Sequence, residues 1–423
     1  MRVFKFGGGV LKRHEDVLKL VEILQKNKND KIIVVVSAFN KVTSKLEKLL
    51  NYYFDNKIFN NNIFNEIKHY HDNLISDLFG HDGSLLIHEK INDVFDEIYN
   101  IFKEGLSDNF HFEYDRIVSF GELLSSLFIF EFLKYKNISC EYKDSRKLII
   151  TDSVYTEAKV DWQQTSENIV NNCNFNNTLL CVTQGFIASN KNGDTTTLGR
   201  EGSDFTASIY AYVLDAEELI FWKEVDGIYN ADPAKSDEYE LLPKLSYREV
   251  VEQAYYGAKI LHPKTIKPLQ NKKVSVKVKS FYKDLDFGTS IMDISKFSPD
   301  FYPNVPIYIV KDNQILVSVS TKDFSFISEY NLGEIFSFMS KHRVKVNLMQ
   351  SSAINFSVCV TNNKHKIPSL IEDLKSCYNV LYNDVLSLIT IRHYNEEAIL
   401  KMVNGKEILV EQKSRQTARF VVK

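Results

Sequence analysis

Lys5-Phe6-Gly7-Gly8-Gly9 is the first stretch of this sequence equipped for chemistry. A cation beside backbone N–H groups unshielded by side chains suits phosphate oxygens. The spacing is neither GxGxxG nor GxxxxGK[ST], so a dinucleotide fingerprint and a Walker loop are excluded. The same residues would also make a tight strand-to-helix turn with an exposed lysine. A second concentration is Thr183 to Asp204, TQGFIASNKNGDTTTLGREGSD, with four glycines, Arg200, Ser203 and Asp204. A solvated hairpin ending in a Ser/Asp helix cap would account for much of it. It would not account for Arg200 or for the three threonines before it. Phe221 to Pro233, FWKEVDGIYNADP, adds Glu224, Tyr229 and Asp232 around an Asp-Gly turn. Lys259 precedes a helix that Pro263 starts. His262 has no neighbour to orient it as a base, which favours a structural role. Glu122 stands at a helix start, where the macrodipole welcomes an acid.

The elements that carry these residues follow from periodicity. Val3 to Phe6 reads as a strand stopping at the glycines, and His14 to Gln25 has helical apolar spacing. Lys31 to Ser37 is a continuous β-branched run, expected as a strand buried on both faces. Strand, turn, helix and strand make a βαβ unit. Residues 46–112 read as a helical excursion without a chemical motif, and Ile117 to Leu133 as one long apolar helix. Strands are expected at Leu179–Phe186, Glu218–Trp222 and Val274–Val278. Helices are expected at Asp204–Leu214, Ser246–Tyr256 and Pro263–Leu269. The alternation predicts an α/β domain with a mostly parallel sheet. Pro299, Pro303 and Pro306 predict a linker. Beyond it the order is strand 314–320, helix 332–342, strands 344–351 and 354–361, helix 366–376 and strand 378–386. That βαββαβ order is ferredoxin-like. A strand, a short helix and two more strands then start a second such unit, which ends early.

Composition removes other functions. The chain has 423 residues, 44% hydrophobic and 25% charged, with a formal charge of −3 and a pI near 6.4. This is globular material without a basic field for nucleic acid or an anionic membrane. Five scattered cysteines without a CxxC pair argue against a disulfide framework or a zinc site, and no metal ligand set is expected. They fit a reducing, cytoplasmic location. No signal segment opens the sequence and no apolar run is long enough to span a bilayer. Glycine is scarce, at 16 residues, yet seven of them fall in the two segments described first. The first proline is Pro233.

In their order, KFGG at 5–8, SAFNKVT at 37–43, SFGE at 119–122, TQGF at 183–186, TTTLGREGSD at 195–204, VDGIYNADP at 225–233 and GAKILHP at 257–263 resemble the aspartate kinases. These belong to the amino acid kinase family and carry C-terminal ACT domains. The resemblance implies a three-layer αβα sandwich at 1–298, a first ACT domain at 312–386 and a truncated second ACT unit at 387–423. It implies transfer of the ATP γ-phosphoryl to L-aspartate, with Mg²⁺ on the ATP phosphates, and a homodimer through the ACT region. By resemblance Lys5 and Asp204 are catalytic, with the Gly7 and Gly8 N–H groups beside Lys5. Arg200 would fork the substrate α-carboxylate and Glu122 would meet its ammonium. Ser37, Thr43, Phe186 and Ser203 would line the aspartate pocket. Lys5, Glu224, Tyr229, Asp232 and Lys259 would serve the nucleotide.

The sequence also departs from that family. Gly9-Val10 replaces the usual Thr-Ser, Glu201 a glycine, Lys223-Glu224 a Thr-Asp pair, and Ala234 an arginine. These changes bear on nucleotide binding. The acidic effector contacts of lysine-sensitive relatives correspond to Asn347 and Ala353, both uncharged, so lysine control is expected to be weak or absent. Two other functions fit less well. They are an amino acid kinase with another acceptor, such as glutamate or a nucleoside monophosphate, and a non-catalytic ACT sensor.

Overall fold

The computed structural model describes residues 1–258, 260–283, 287–293, 305–323 and 325–423, with side chains omitted at 81–84. Lys259 therefore lies outside the described residues, as do Pro299 and Pro303 of the expected linker. The chain divides into two compact units. The first takes Met1–Ile228, Leu241–Val251 and Leu261–Pro299, and the second Tyr229–Glu240, Glu252–Ile260 and Asp300–Lys423. Two segments before residue 298 thus pack with the C-terminal unit, among them the one carrying Tyr229 and Asp232.

The first unit is built on an eight-stranded sheet. Its strands are β1 (Arg2–Phe6), β2 (Ile32–Val36), β3 (Glu141–Lys143), β5 (Leu180–Gln184), β8 (Glu218–Lys223), β9 (Lys244–Ser246), β10 (Ser275–Ser280) and β11 (Thr289–Met292). A separate small sheet holds β4 (Ile150–Thr151), β6 (Ile187–Asn190) and β7 (Thr195–Thr197). The main order is β3-β5-β2-β1-β8-β10-β11-β9. β1 sits between β2 and β8, parallel to both, with Lys5 opposite Val35 and Phe221. All five residues of β2 are buried, as the β-branched run requires for a strand covered on both faces. β10 is a more marginal strand and alternates half-buried with buried.

Alternation along β1 assigns its faces. Phe4 and Phe6 point to one side, where they meet Trp222, stacked at 3° on Phe6. That side is covered by the helices His14–Lys26, Val42–Asn56, Asn61–Glu104 and Phe120–Tyr135, whose aromatic and aliphatic residues form the largest core. Lys5 points to the other side, toward the helix Gly202–Val213, on which Pro263–Lys272 packs. The three layers are helix, sheet and helix, the sandwich expected for this region.

The helical excursion is present, though in pieces. Asn61–Glu104 kinks at Gly80, whose φ of +62° only glycine adopts freely. The single helix expected from Ile117 to Leu133 is two, Phe110–Val118 and Phe120–Tyr135, meeting at Ser119. The stretch read as a solvated hairpin is the β6–β7 hairpin, but its strands are mostly buried. Its polar side chains are accommodated by hydrogen bonds rather than by water. Asp115, wholly buried, accepts from the Thr197 N–H at 2.8 Å, the Thr197 hydroxyl at 2.6 Å and the Thr156 N–H.

The second unit is one six-stranded antiparallel sheet. It contains β12 (Ile307–Ser320), β13 (Val346–Ser351), β14 (Asn355–Thr361), β15 (Asn379–Arg392), β16 (Ile408–Lys413) and β17 (Thr417–Val422), in the order β13-β14-β12-β15-β17-β16. The helices Glu329–Lys341 and Ile367–Cys377 cover the βαββαβ part around Val317, Val358 and Leu370. The strand expected at 378–386 and the one expected directly after it are a single β15. Its first half pairs with the far half of β12 and its second half with the near half of β12 and with β17. The two ferredoxin-like halves therefore share their long strands and one backbone ladder.

Candidate active site

Parallel strands deliver their carboxyl ends to one edge, and in open α/β sheets that edge is the ligand side. Here β1, β2, β5 and β8 run straight into Gly7, Ser37, Gly185 and Glu224. Four of the segments singled out in the sequence are thereby gathered at one place. The glycines there are required by contact. A Cβ on Gly8 would collide with the Ala38 carbonyl, and one on Gly185 would lie 2.5 Å from Ser203 Cβ. A Cβ on Gly7 would sit 3.2 Å from Lys5 Nζ. The turn after β1 is thus bare because it lies against β2 and against the lysine.

Lys5 is buried at 6% exposure, which is costly for an ammonium. Asp204 answers it, with Lys5 Nζ 2.6 Å from Oδ1. Lys223 Nζ donates to the other oxygen, Oδ2, at 2.8 Å. Asp204 occupies the first turn of Gly202–Val213, where the helix dipole also favours an anion. Burial works against its ionisation, but Lys223 and Lys5 outweigh that and hold its carboxyl down at about 2. Burial in turn lowers the Lys5 ammonium below its ordinary value, and Lys223 adds to that, while Asp204 and Glu201 resist. The group is therefore a charged carboxylate shared by two cations.

The expected cap at this helix differs in detail. Ser203 and Asp204 lie inside the helix, and the residue before it is Glu201, with φ +55° and no side-chain cap bond. Asp204 is drawn to the lysines instead. The left-handed turn at Gly199 and Glu201 lets the chain reverse from β7 into the helix. Phe186, also left-handed at +68°, donates its N–H to the Thr206 hydroxyl and lies against Gly202. Arg200 is exposed at the same turn and forms no ion pair with any described residue.

Glu122 comes from the helix Phe120–Tyr135 and is 3% exposed. Its Oε1 accepts the Ala38 N–H at 3.3 Å, and its Oε2 is buried without a hydrogen-bond partner. Burial raises its carboxyl to about 8, against the pull of the Ala38 amide, Lys5 and the Thr43 hydroxyl. Gly121 allows this approach, since a Cβ there would press on Ala38 and Thr43. Ser37 is buried beside them, its N–H on the Phe6 carbonyl. Lys5, Gly7, Gly8, Ser37, Thr43, Glu122, Phe186, Ser203 and Asp204 are thus linked through neighbouring contacts.

Glu224 is exposed and pairs with Lys12 at 2.5 Å, alongside Gly9. His262 caps Pro263–Lys272 through Nδ1, which accepts the Lys264 N–H, in keeping with a structural role. In the second unit Tyr229 stacks edge-on against Tyr239, and Asp232 turns the chain through the Ala234 N–H. Sequence reasoning missed Asp115 and passed over Lys223 and Glu201 as mere departures. A buried acid in a helix and a lysine at a strand end carry no local pattern. Their meaning depends on what the fold sets opposite them.

Residues 1–280 match the model of the amino acid kinase family. The bifunctional aspartokinase/homoserine dehydrogenase of Buchnera aphidicola is 32% identical over 376 residues, 85% of this chain and 44% of that protein. The aspartokinase of Chlamydia trachomatis is 29% identical over 314 residues, 74% of this chain and 69% of its own length. The chain spans less than half the length of the first of these relatives. The crystal structure of E. coli aspartokinase III in complex with aspartate and ADP superposes with a TM-score of 0.82 at 23% identity, covering 100% of this chain and 96% of that one. That likeness extends to the fold of both units.

Glu122 supplies a test of the site's electrostatics. Its folded value, about 8, lies above the ordinary 4.5, so folding takes up a proton between them. Wild-type stability contributed by this group is present at low pH and lost as pH rises toward 8. Glu122→Gln lacks that loss. Its unfolding free energy relative to wild type should climb from pH 5 to pH 8, by an amount on the order of a few kcal/mol. A difference that stays flat across this range would mean that Glu122 is ionised throughout.

Proposed function

This chain belongs to the amino acid kinase family, and from that premise we propose that it transfers the γ-phosphoryl of ATP to the side-chain carboxylate of L-aspartate, giving 4-phospho-L-aspartate. The observation that carries this is the buried carboxylate of Asp204 shared by Lys5 and Lys223, beside the glycine turn after β1. The aspartokinase relatives and the aspartate- and ADP-bound structure of the E. coli enzyme support the choice of acceptor.

A carboxylate acceptor is already a nucleophile, so no general base is needed. The difficulty is repulsion between two anions. Each unit-charge pair at about 4 Å opposes approach by roughly 4 kcal/mol at an effective dielectric near 20. Catalysis must come from positive charge and positioning. Lys5 would meet the moving phosphoryl oxygens, with the Gly7 and Gly8 N–H groups as further donors. Asp204 orients Lys5 and lets its charge persist in a buried place. Mg²⁺ would enter on the ATP phosphates and offset their charge.

The acceptor needs two further contacts. Exposed Arg200 is free to fork an α-carboxylate, a geometry that suits guanidinium. Glu122, with its unpartnered Oε2, is a ready acceptor for the α-ammonium. Binding a cation there would draw its proton off and recover the cost of burial. Ser37, Thr43, Phe186 and Ser203 would line the pocket between them. Lys259 and Glu224 would serve the nucleotide, and Tyr229 and Asp232 are assigned to it by resemblance alone.

Regulation by lysine fits poorly with the second unit. Asn347 is buried and its side chain is already committed. Its Nδ2 donates to Gln314 and Thr361, and its Oδ1 accepts from Lys311 Nζ at 3.1 Å. An effector ammonium would find no carboxylate there and a resident ammonium beside it.

With ATP, Mg²⁺ and hydroxylamine, wild type should form aspartyl hydroxamate from L-aspartate, and not the corresponding products from glutamate or N-acetylglutamate. Lys5→Ala and Asp204→Ala should each lose about a hundredfold or more. Product that persists in both variants would refute the site, and its absence from wild type would refute the acceptor. In the same assay, millimolar L-lysine should leave the rate unchanged. Clear inhibition below that level would contradict the account of Asn347.

A further inference from the structure

The two lysines on Asp204 arrive differently. Lys5 lies inside β1, while Lys223 is the last residue of β8, with its side chain 27% exposed. β1 and β8 are parallel and Lys5 faces Phe221, so Lys223 emerges two residues further along the same face. Its Nζ lies 5.6 Å from the centre of the Phe221 ring, which steadies it over the sheet. It donates to Oδ2 of Asp204 at 2.8 Å, while Lys5 lies 2.6 Å from Oδ1. Glu201, one residue before the helix that carries Asp204, brings a second carboxylate whose Oε2 is buried without a hydrogen-bond partner.

We propose that Lys223 is a positioning residue of the transfer site: by occupying Oδ2 of Asp204 it leaves the Lys5 ammonium incompletely committed and available to the oxygens of the moving phosphoryl group, with Glu201 as the opposing charge. This rests on the kinase function proposed above.

The charges around Lys5 make the role distinctive. Four groups act on it or respond to it: Asp204 on its own helix, Glu201 just before that helix, Lys223 on β8 and Glu122 from Phe120–Tyr135. Lys223 disfavours the Lys5 ammonium and Glu201 favours it. Without Lys223, Asp204 would turn wholly to Lys5, giving a tight pair with less donor capacity for substrate. The resemblance places small uncharged residues at both positions, and this chain has one charge of each sign. Added together, they leave the net charge of the centre unchanged.

The test uses full-length protein and two readouts. Turnover is followed as aspartyl hydroxamate for wild type, Lys223→Met, Lys223→Arg and Glu201→Gln. Separately, Lys5 is titrated without substrates by NMR of lysine labelled with ¹³C at Cε, its signal assigned by its loss in Lys5→Arg. Lys223→Met should lower kcat by about tenfold or more with little change in KM for ATP or aspartate. Lys223→Arg should recover most of that, and melting temperatures should show both variants folded. The Lys5 titration should move to higher pH in Lys223→Met and to lower pH in Glu201→Gln. An unmoved titration in Lys223→Met, or a shift without a fall in kcat, would overturn the proposal. Opposed shifts in the two variants, with a wild type that makes no hydroxamate, would refute the acceptor and leave the charge arrangement standing.

Discussion

Everything at the carboxyl edge of the main sheet depends on Asp204 remaining ionised inside the protein. Lys5 could not be buried there as an ammonium without it, since an unpaired buried charge is prohibitively costly. Asp204 in turn is held charged at this depth by both lysines. Lys223 and the first turn of its helix complete the balance. Three elements meet for this purpose: β1, β8 and the helix Gly202–Val213. Their relative placement follows from ordinary packing. β1 is a central parallel strand, its aromatic face is filled by Phe4, Phe6 and Trp222, and its other face is left to the helix. The polar centre is thus a by-product of strand alternation combined with a sheet covered on both sides.

The glycine turn and the hairpin β6–β7 serve the same centre. Gly7 and Gly8 keep the chain close to Lys5 and Ala38, and Gly185 admits Ser203. Asp115 fixes the hairpin through the Thr197 N–H and hydroxyl, and holds the Thr156 N–H as well, and so steadies the Gly199–Glu201 reversal that starts the helix. A buried acid so fully bonded is a structural device, although it stands in a helix that carries no chemical motif.

Much of the fold was legible in the sequence because it rests on local pattern. The β-branched run at 32–36 could only be an interior strand, and KFGG could only end one. The βαββαβ rhythm after residue 312 was equally plain. Less was legible where pairing decides. The threonines of β7 look solvated until Asp115 is known to face them. The break at Ser119 interrupts an apolar run that propensity alone would continue. The shared strand β15 reads as two strands and β12 only as its second half, 314–320, because register shifts at 311–316 do not alter the apolar pattern. In the site, Lys5, Glu122 and Asp204 were identifiable from their motifs. Lys223 and Glu201 were visible only as exceptions, since their significance is electrostatic and needs coordinates.

The central claim is that this cationic centre lets one carboxylate attack a phosphoryl group. Aspartate labelled with ¹⁸O in its side-chain carboxylate tests it most directly. With ATP, Mg²⁺ and hydroxylamine, the carboxylate oxygen that attacks phosphorus leaves with it when the acyl phosphate is trapped. Mass spectrometry of the released phosphate should find one ¹⁸O per turnover. Phosphate without ¹⁸O would mean that water, not aspartate, takes the phosphoryl group, and would contradict the account.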